Sequence, residues 1–416
     1  MVGQGGLLQL VALGKQDVFL TGNPQMTWFK MVYRRYTNFA IESQPMYFDG
    51  TADFGKRITC LVPRRGDLLS QVMLEVSLPA LTLTTGDPVS YVNSIGHALI
   101  QEITIEVGEQ EIDRQNGEWM EIWSNYTTTT DKQTGFYNMI GKVDGYTPPS
   151  LFGPLNLYIP LRFWFCKNPG MALPLIALQY HPVRINLTLR PLSQLYYDPG
   201  LTTPECTKLE IRPASIQAMM LWGDYIYLDV EERRRFVSNT HEYLIEQTQY
   251  TSQIPIAPGA SSGSLRLEFN HPIRELFWYV QRDDMTRYHE YFNYSSLGTF
   301  EVGTRTDMLG TALLQLDGFD RFQVRDAGYF RLVQPWQYHT VIPEDYFLYS
   351  YSFALRPEDA QPTGSMNASR IDNIILQVTI NPNLINAVGT LHSRVYATNH
   401  NVFRVADGFG GVLFTI

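Results

Sequence analysis

The sequence predicts an all-β protein of two consecutive β-sandwiches. Three observations carry that expectation: a period of two among the apolar residues, its return in the second half of the chain, and a length of 416 residues. A chain of this length exceeds one ordinary core and suits two domains of roughly 200 residues. Hydrophobic residues at 44% and aromatic residues at 13% supply the apolar surface for two sandwich cores and exclude a mainly disordered chain. Charged residues reach only 18%, against about 25% in typical soluble domains, so much of the surface is expected to be covered by other subunits.

The first forty residues differ from the rest. Gly3, Gly5 and Gly6 precede an apolar stretch from Leu7 to Leu13, and a Gly22-Asn23-Pro24 break follows. Trp28, Val32 and Tyr36 then fall at i, i+4 and i+8 with Lys30, Arg34 and Arg35 between them, the spacing of a short amphipathic helix that either contacts a partner or packs under its own domain. From about residue 45 the period is two. Val72, Leu74, Val76 and Leu78 alternate with Met73, Glu75 and Ser77, and Ile103, Ile105 and Val107 alternate with Thr104 and Glu106. Val183, Ile185, Leu187 and Leu189 against Arg184, Asn186, Thr188 and Arg190 form the cleanest strand, ended by Pro191. Trp119, Ile122, Trp123 and Tyr126 follow Gly117 at helical spacing, a core stripe expected to cap one end of the sandwich.

Val230 to Ser238 is a charged helical turn past the middle of the chain and marks the domain connection. Strand alternation resumes with Leu265, Leu267 and Phe269, and again with Ile374, Leu376, Val378 and Ile380. The expected division is an N-terminal arm over 1–38, a first sandwich over 39–232 and a second over 233–416. Turn-rich stretches at about 128–157, 193–208, 251–264 and 281–309 are expected as surface loops.

No catalytic, cofactor or metal site is predicted. His241-Glu242 and His289-Glu290 begin like the helix-borne zinc motif, but neither has the second histidine. Gly408-Phe409-Gly410-Gly411 lacks a following helix and reads as turns, and no nucleophile elbow or phosphate-binding loop occurs. Cys60, Cys166 and Cys206 are too scattered for a disulfide framework or a thiolate site and are expected as buried free thiols. Sequons stand at Asn125, Asn186, Asn293 and Asn367, of which Asn293, in a long loop, is the best glycan acceptor if any is used. The net charge of -9 and a pI near 5.4 argue against a surface that wraps nucleic acid. No apolar run approaches the roughly 18 residues of a membrane-crossing helix, and the opening Met1-Val2-Gly3-Gln4 lacks signal-peptide order, so a soluble protein made in the cytosol is expected.

Particular segments then point to a family. Gln16 to Ser43, QDVFLTGNPQMTWFKMVYRRYTNFAIES, resembles the opening of the double jelly-roll major capsid proteins of nucleocytoplasmic large DNA viruses, and is most like those of algal and amoebal viruses. The likeness continues at PGMALPLIALQYHPV (169–183), HEYLIEQ (241–247) and FNHP (269–272). Further on it includes LDGFDRF (316–322), SFALRPEDAQPTGSMNASRIDN (352–373) and NHNVFRVADGFGG (399–411), so it spans both halves and both termini. The resemblance implies two eight-stranded jelly rolls per chain and homotrimers acting as pseudo-hexagonal capsomers of an icosahedral shell. It also implies an arm on the inner side, near minor capsid proteins and an internal membrane, with Trp28, Lys30, Val32, Arg34, Arg35 and Tyr36 as its contacts. Assembly would take place in the host cytoplasm. The alternatives are a minor capsid paralogue, or a carbohydrate-binding two-sandwich protein that stacks sugars on Tyr196, Tyr197 and Tyr291.

Overall fold

The computed structural model describes residues 4–145, 150–197, 210–299, 301, 303–384 and 389–415, and the chain falls into two compact units, Met1–Asn38 and Phe39–Ile416. In the first unit, α1 (Gln4–Val11) and α2 (Lys15–Thr21) are the only helices among the described residues. The Asp17 carboxylate accepts from the Gly14 N–H at 2.8 Å at the start of α2, and the Gly22 N–H closes its end on the Val18 carbonyl. Residues 31–38 carry no regular structure, so the helix expected through Trp28, Val32 and Tyr36 does not form. Phe29, Met31 and Tyr33 lie between the three anchors and are as exposed as they are, which leaves no separate polar face. A helix of that length with nothing to pack against is also marginal in water.

Beside a short pair, Leu81–Thr82 with Pro88–Val89, that forms a sheet of its own, the second unit begins with eight strands: β1 (Phe39–Met46), β2 (Arg57–Leu61), β3 (Leu68–Leu78), β4 (Ile100–Val107), β5 (Gln110–Gln115), β6 (Leu155–Pro160), β7 (Val183–Leu189) and β8 (Ala218–Leu228). They form two antiparallel four-stranded sheets, ordered β1-β8-β3-β6 and β2-β7-β4-β5. Eight more follow: β9 (His241–Tyr250), β10 (Ser262–Leu267), β11 (Pro272–Arg282), β12 (Leu309–Leu316), β13 (Phe319–Asp320), β14 (Tyr349–Ser352), β15 (Ile374–Ile380) and β16 (Leu391–Ala406). Their orders are β9-β16-β11-β14 and β10-β15-β12-β13, so adding eight to each label of the first pair gives the second. This is the jelly-roll order, repeated. Four short additional strands join these sheets: Ile254–Ile256 and Phe409–Val412 pair with β16, Met366–Asn367 with β11 and Arg325–Asp326 with β12.

The period-two segments became these strands because one face of each enters a core. On β3, Val72, Leu74, Val76 and Leu78 are buried while Met73, Glu75 and Ser77 face outward. On β15, Ile374, Leu376, Val378 and Ile380 fill the second core. Ile245, Phe403 and Val405 of the second roll pack into the core of the first, while the second roll keeps a separate core of its own. α5 (Val230–Ser238), counted after α3 and α4 below, leads from β8 to β9, with Asp229 accepting from the Val230 N–H at 2.7 Å and Arg233 reaching Asp67 at 2.7 Å.

Several expected loops are folded inward. The stretch at 128–157 contains α4 (Thr130–Ile140), which buries Phe136, Tyr137 and Ile140. The 281–309 stretch holds a short helix at Asp283–Arg287 and buries Tyr291, Asn293, Tyr294, Ser295 and Ser296. Both stretches read as loops because their polar residues hydrogen-bond inward, which a hydropathy pattern does not register. Of the 193–208 stretch, residues 198–208 lie outside the described residues, as does Cys206.

The stripe at Trp119, Ile122, Trp123 and Tyr126 does lie on a helix, α3 (Gly117–Thr127), but it does not cap an end of the first sandwich; it is wedged against the second roll. Its start is pressed onto the chain before β4, where a Cβ on Gly117 would sit 1.9 Å from the His97 carbonyl oxygen. Gly117→Ala is therefore expected to destabilise the protein by about 3 kcal/mol. Gly135→Ala in α4, where a Cβ meets nothing within 4 Å, should instead gain about 0.5–1 kcal/mol. Urea unfolding of the two variants measures both, and equal effects would contradict this account of α3.

Candidate functional site

The seam between the two rolls is where the chain concentrates its buried aromatic and charged groups. α3 is set by Asn116, whose side-chain oxygen accepts from the Trp119 N–H at 2.8 Å. From there its residues serve different neighbours. Met120 enters the first core, while Trp119, Ile122, Trp123 and Tyr126 meet Phe277 and Tyr279 of β11 and Tyr396 of β16. Trp119 stacks on Tyr396 at 5.5 Å between centroids and meets Phe277 edge-on at 5.4 Å, and Tyr126 meets Phe277 at 5.1 Å. Such pairs add about 0.5–1.5 kcal/mol each beyond their buried area.

Two buried carboxylates lie within this aromatic packing. Glu118 of α3 receives the Arg394 guanidinium at 2.6 Å and the hydroxyls of Tyr396 and Tyr279 at 2.9 and 3.0 Å. Burial alone would raise its pKa, but Arg394, Arg190 and the two hydroxyls outweigh that and hold it below the ordinary carboxylate value. Glu246 of β9 is bonded by Lys167 from the first roll and Arg274 from the second. Burial opposes its charge as well, yet these two cations bring its pKa down to about 2. The Lys167 ammonium also lies 4.3 Å from the Trp123 ring.

Side chains close the gap where the edge strand β5 meets β9: the Asp113 carboxylate accepts from the Thr248 N–H at 3.0 Å, and Gln247 donates to the Ile112 carbonyl. Burial raises the Asp113 pKa to about 6 despite those donors. Further along, His339 stands 4.7 Å from the Tyr126 ring and bonds Glu358 at 3.0 Å and Glu275 at 2.5 Å. Burial lowers its pKa, and the two carboxylates reverse this and lift it to about 9. The arrangement positions and locks, and among the described residues no group of three or more His, Cys, Asp or Glu is placed to hold a metal ion.

The residues singled out from sequence fall elsewhere. Trp28, Val32 and Tyr36 are exposed in the N-terminal unit, as are Lys30, Arg34 and Arg35. Asn293 is not an accessible glycan acceptor. It is buried, its amide donates to Glu290 at 2.7 Å and to the Leu297 carbonyl at 3.0 Å, and its oxygen accepts from Ser295. Asn125 and Asn186 are buried too, whereas Asn367 is exposed. Tyr196, Tyr197 and Tyr291 offer no sugar-stacking faces, because all three are buried; Tyr196 is packed edge-on against His289, and Arg190 lies 4.2 Å from the Tyr291 ring.

His241 hydrogen-bonds the Phe236 carbonyl at 2.8 Å and His289 the Tyr196 carbonyl at 2.9 Å. Cys60 is buried and free, with its thiol pushed up to about 12 by burial; Cys166 is half-buried, free and likewise raised to about 12. Gly408, at φ +88°, turns β16 into the Phe409–Val412 strand. Glu118, Arg394, Glu246, Arg274 and Lys167 escaped the sequence reading. For Glu246, Arg274 and Arg394 the one signal was charge inside apolar strands, as in Ile273-Arg274-Glu275-Leu276.

Comparisons with known proteins agree with this pair of jelly rolls. The family described as major capsid protein N-terminus matches residues 27–229, and that described as large eukaryotic DNA virus major capsid protein matches residues 232–411. The chain is 37% identical to the major capsid protein of Phaeocystis pouchetii virus over an alignment of 520 positions covering 99% of each. It is 36% identical to that of Paramecium bursaria Chlorella virus 1, again over 99% of each. The solved structure of PBCV-1 VP54, fitted into a reconstruction of the virophage Sputnik, superposes with a TM-score of 0.79 and 32% identity, covering 94% of this chain and 100% of that one. The Faustovirus major capsid protein, at 13% identity and a TM-score of 0.75, shares the fold. The chain belongs to the family of major capsid proteins of large eukaryotic DNA viruses, and is a structural component of the virion capsid that assembles with itself.

The seam has a pH signature. A carboxylate whose folded pKa is depressed stabilises the protein above its unfolded value, 4.5 for Glu246, and that contribution is lost as pH falls through about 2. Stability should therefore drop on acidification below about pH 4.5. Glu246→Gln should flatten that drop while costing about 3–5 kcal/mol at pH 7, because Lys167 and Arg274 lose their counter-charge. Urea unfolding between pH 2 and 7 tests both, and an unchanged acid slope in the variant would count against Glu246 as the source.

Proposed function

We propose that three copies of this chain form a pseudo-hexagonal capsomer, which tiles an icosahedral shell around a large double-stranded DNA genome. The observation that carries the reading is the seam: two rolls of identical strand order are held by Glu118, Glu246 and the α3 aromatics as one piece. Three such pieces supply six similar sandwiches from one gene product, and closed threefold association is how they would form a ring. In this reading residues 39–232 and 233–416 are the two sandwich subunits of the tile, and the protein performs no reaction of its own.

The arm is proposed to face inward, toward minor capsid proteins and the internal membrane, through Trp28, Lys30, Val32, Arg34, Arg35 and Tyr36. Its chemistry supports an anionic, partly apolar partner. Residues 1–38 contain Lys15, Lys30, Arg34 and Arg35 against Asp17, a net charge of +3, which leaves −12 for the remainder of a chain at −9. Trp28, Phe29, Met31 and Tyr36 add exposed apolar surface of the kind that marks an interaction site. The genome is not a proposed contact, and assembly would occur in the host cytoplasm.

Light scattering of the purified protein should give about 143 kDa, three times the 47.7 kDa chain. That species should persist above about 0.5 M salt, where exposed ion pairs contribute little. A monomer at every concentration would end the capsomer reading. Removing residues 1–36 should leave three-chain particles but prevent normal shell assembly, read by electron microscopy; shells indistinguishable from those of the full chain would end the arm reading.

A further inference from the structure

The duplicated strand order makes one contact inside the chain a template for a contact between chains. α3 lies in the connection from β5 to β6 of the first roll, and it is buried on the outward face of the β9-β16-β11-β14 sheet of the second. The matching connection of the second roll, from β13 to β14, also carries helical structure, a turn at Tyr329–Val333 followed by a helix at Gln334–Tyr338. Here Gln334 and Pro335 are buried, but Trp336 is 73% exposed, and Val333 beside it is exposed too. A tryptophan is the costliest side chain to leave in water, so this position calls for a cover.

The matching sheet face is open. On the β1-β8-β3-β6 sheet of the first roll, Met73 and Trp222 pair across β3 and β8 on the outward side and are only half-buried, with Tyr158 of β6 exposed beside them. On the second roll the corresponding pair, Phe277 of β11 and Tyr396 of β16, is fully buried under Trp119. A trough of about 650 Å³ runs over the open face, lined by Met73, Glu75, Tyr158, Trp222 and Asp224. Its other end, at α3, holds Arg162, the Lys167 already bound to Glu246, and Glu358 of the second roll, which is already bound to His339. In the same connection Arg325 lies over Tyr329, in the turn that leads into the Trp336 helix, and Arg321 over Tyr351; both are opposite in charge to Glu75 and Asp224.

We propose that the Trp336 helix of one copy docks in the Met73–Trp222 trough of the next copy, repeating between chains the contact that α3 makes within one. The proposal rests on the capsomer reading above and specifies its interface. Because each copy offers both halves of the contact on different rolls, the association is head-to-tail. A six-roll ring then closes after three chains, with the α3 seam and the Trp336 contact alternating around it.

The test uses the full chain and light scattering. Trp336→Glu is expected to raise the trimer dissociation constant on the order of a hundredfold or more, as loss of a central tryptophan anchor does, while the urea midpoint of the monomer is unchanged because Trp336 touches little of its own chain. As a second readout, Trp336→Cys combined with Met73→Cys should give covalent three-chain species under oxidised glutathione, and neither single variant should. If the unaltered protein is a trimer but Trp336→Glu leaves it so, or the cysteine pair does not cross-link, the docking is overturned and the capsomer reading stands. If the unaltered protein is a monomer throughout, both fall together.

Discussion

The packing of α3 against the second roll is the constraint on which the remainder of the molecule depends. Glu118 joins the start of that helix to Arg394 and Tyr396 of the central strand β16, and Trp119 lies against the same tyrosine. A joint made of rings alone can slide, whereas one oxygen receiving a guanidinium and two hydroxyls accepts a narrow range of positions. Buried ion pairs are weak evidence for stability, since removing ions from water costs about as much as their attraction returns. In a shell component their worth lies in fixing an angle between two bodies.

The same logic explains the charge economy of the chain. Only 18% of residues are charged, yet Glu118, Glu246 and Arg274 are buried, as is most of Lys142 against Glu121. Charges are thus spent inside, on joints between the two rolls. His339 between Glu275 and Glu358 is a third joint, holding the segment after the Trp336 helix against Tyr126.

Most of the fold was legible because its signal is local. The alternation at Val72–Leu78, Val183–Leu189 and Ile374–Ile380 describes one strand at a time, and each strand formed where the pattern stood. The site was far less legible. Trp119, Ile122, Trp123 and Tyr126 show a helix with an apolar face, but nothing local says which sheet that face meets, because Phe277 and Tyr396 are more than 150 residues away. Asn293 looked accessible for the opposite reason: its polar neighbours suggested water, whereas Glu290, Ser295 and Leu297 satisfy it internally. The amphipathic spacing around Trp28 failed because three anchors do not make a face when Phe29, Met31 and Tyr33 between them are apolar and equally exposed.

Each roll places its last strand inside its sheet: β8 lies between β1 and β3, and β16 between β9 and β11. During synthesis the first sheet can therefore close once residue 228 has emerged, while the second keeps β9 and β11 without their shared neighbour until residues 391–406 arrive. Until then the indole rings of α3 have no surface to meet. Newly made first rolls thus pass through an interval in which a sticky aromatic ridge faces the crowded cell, and translation speed through the second half sets how long that hazard lasts.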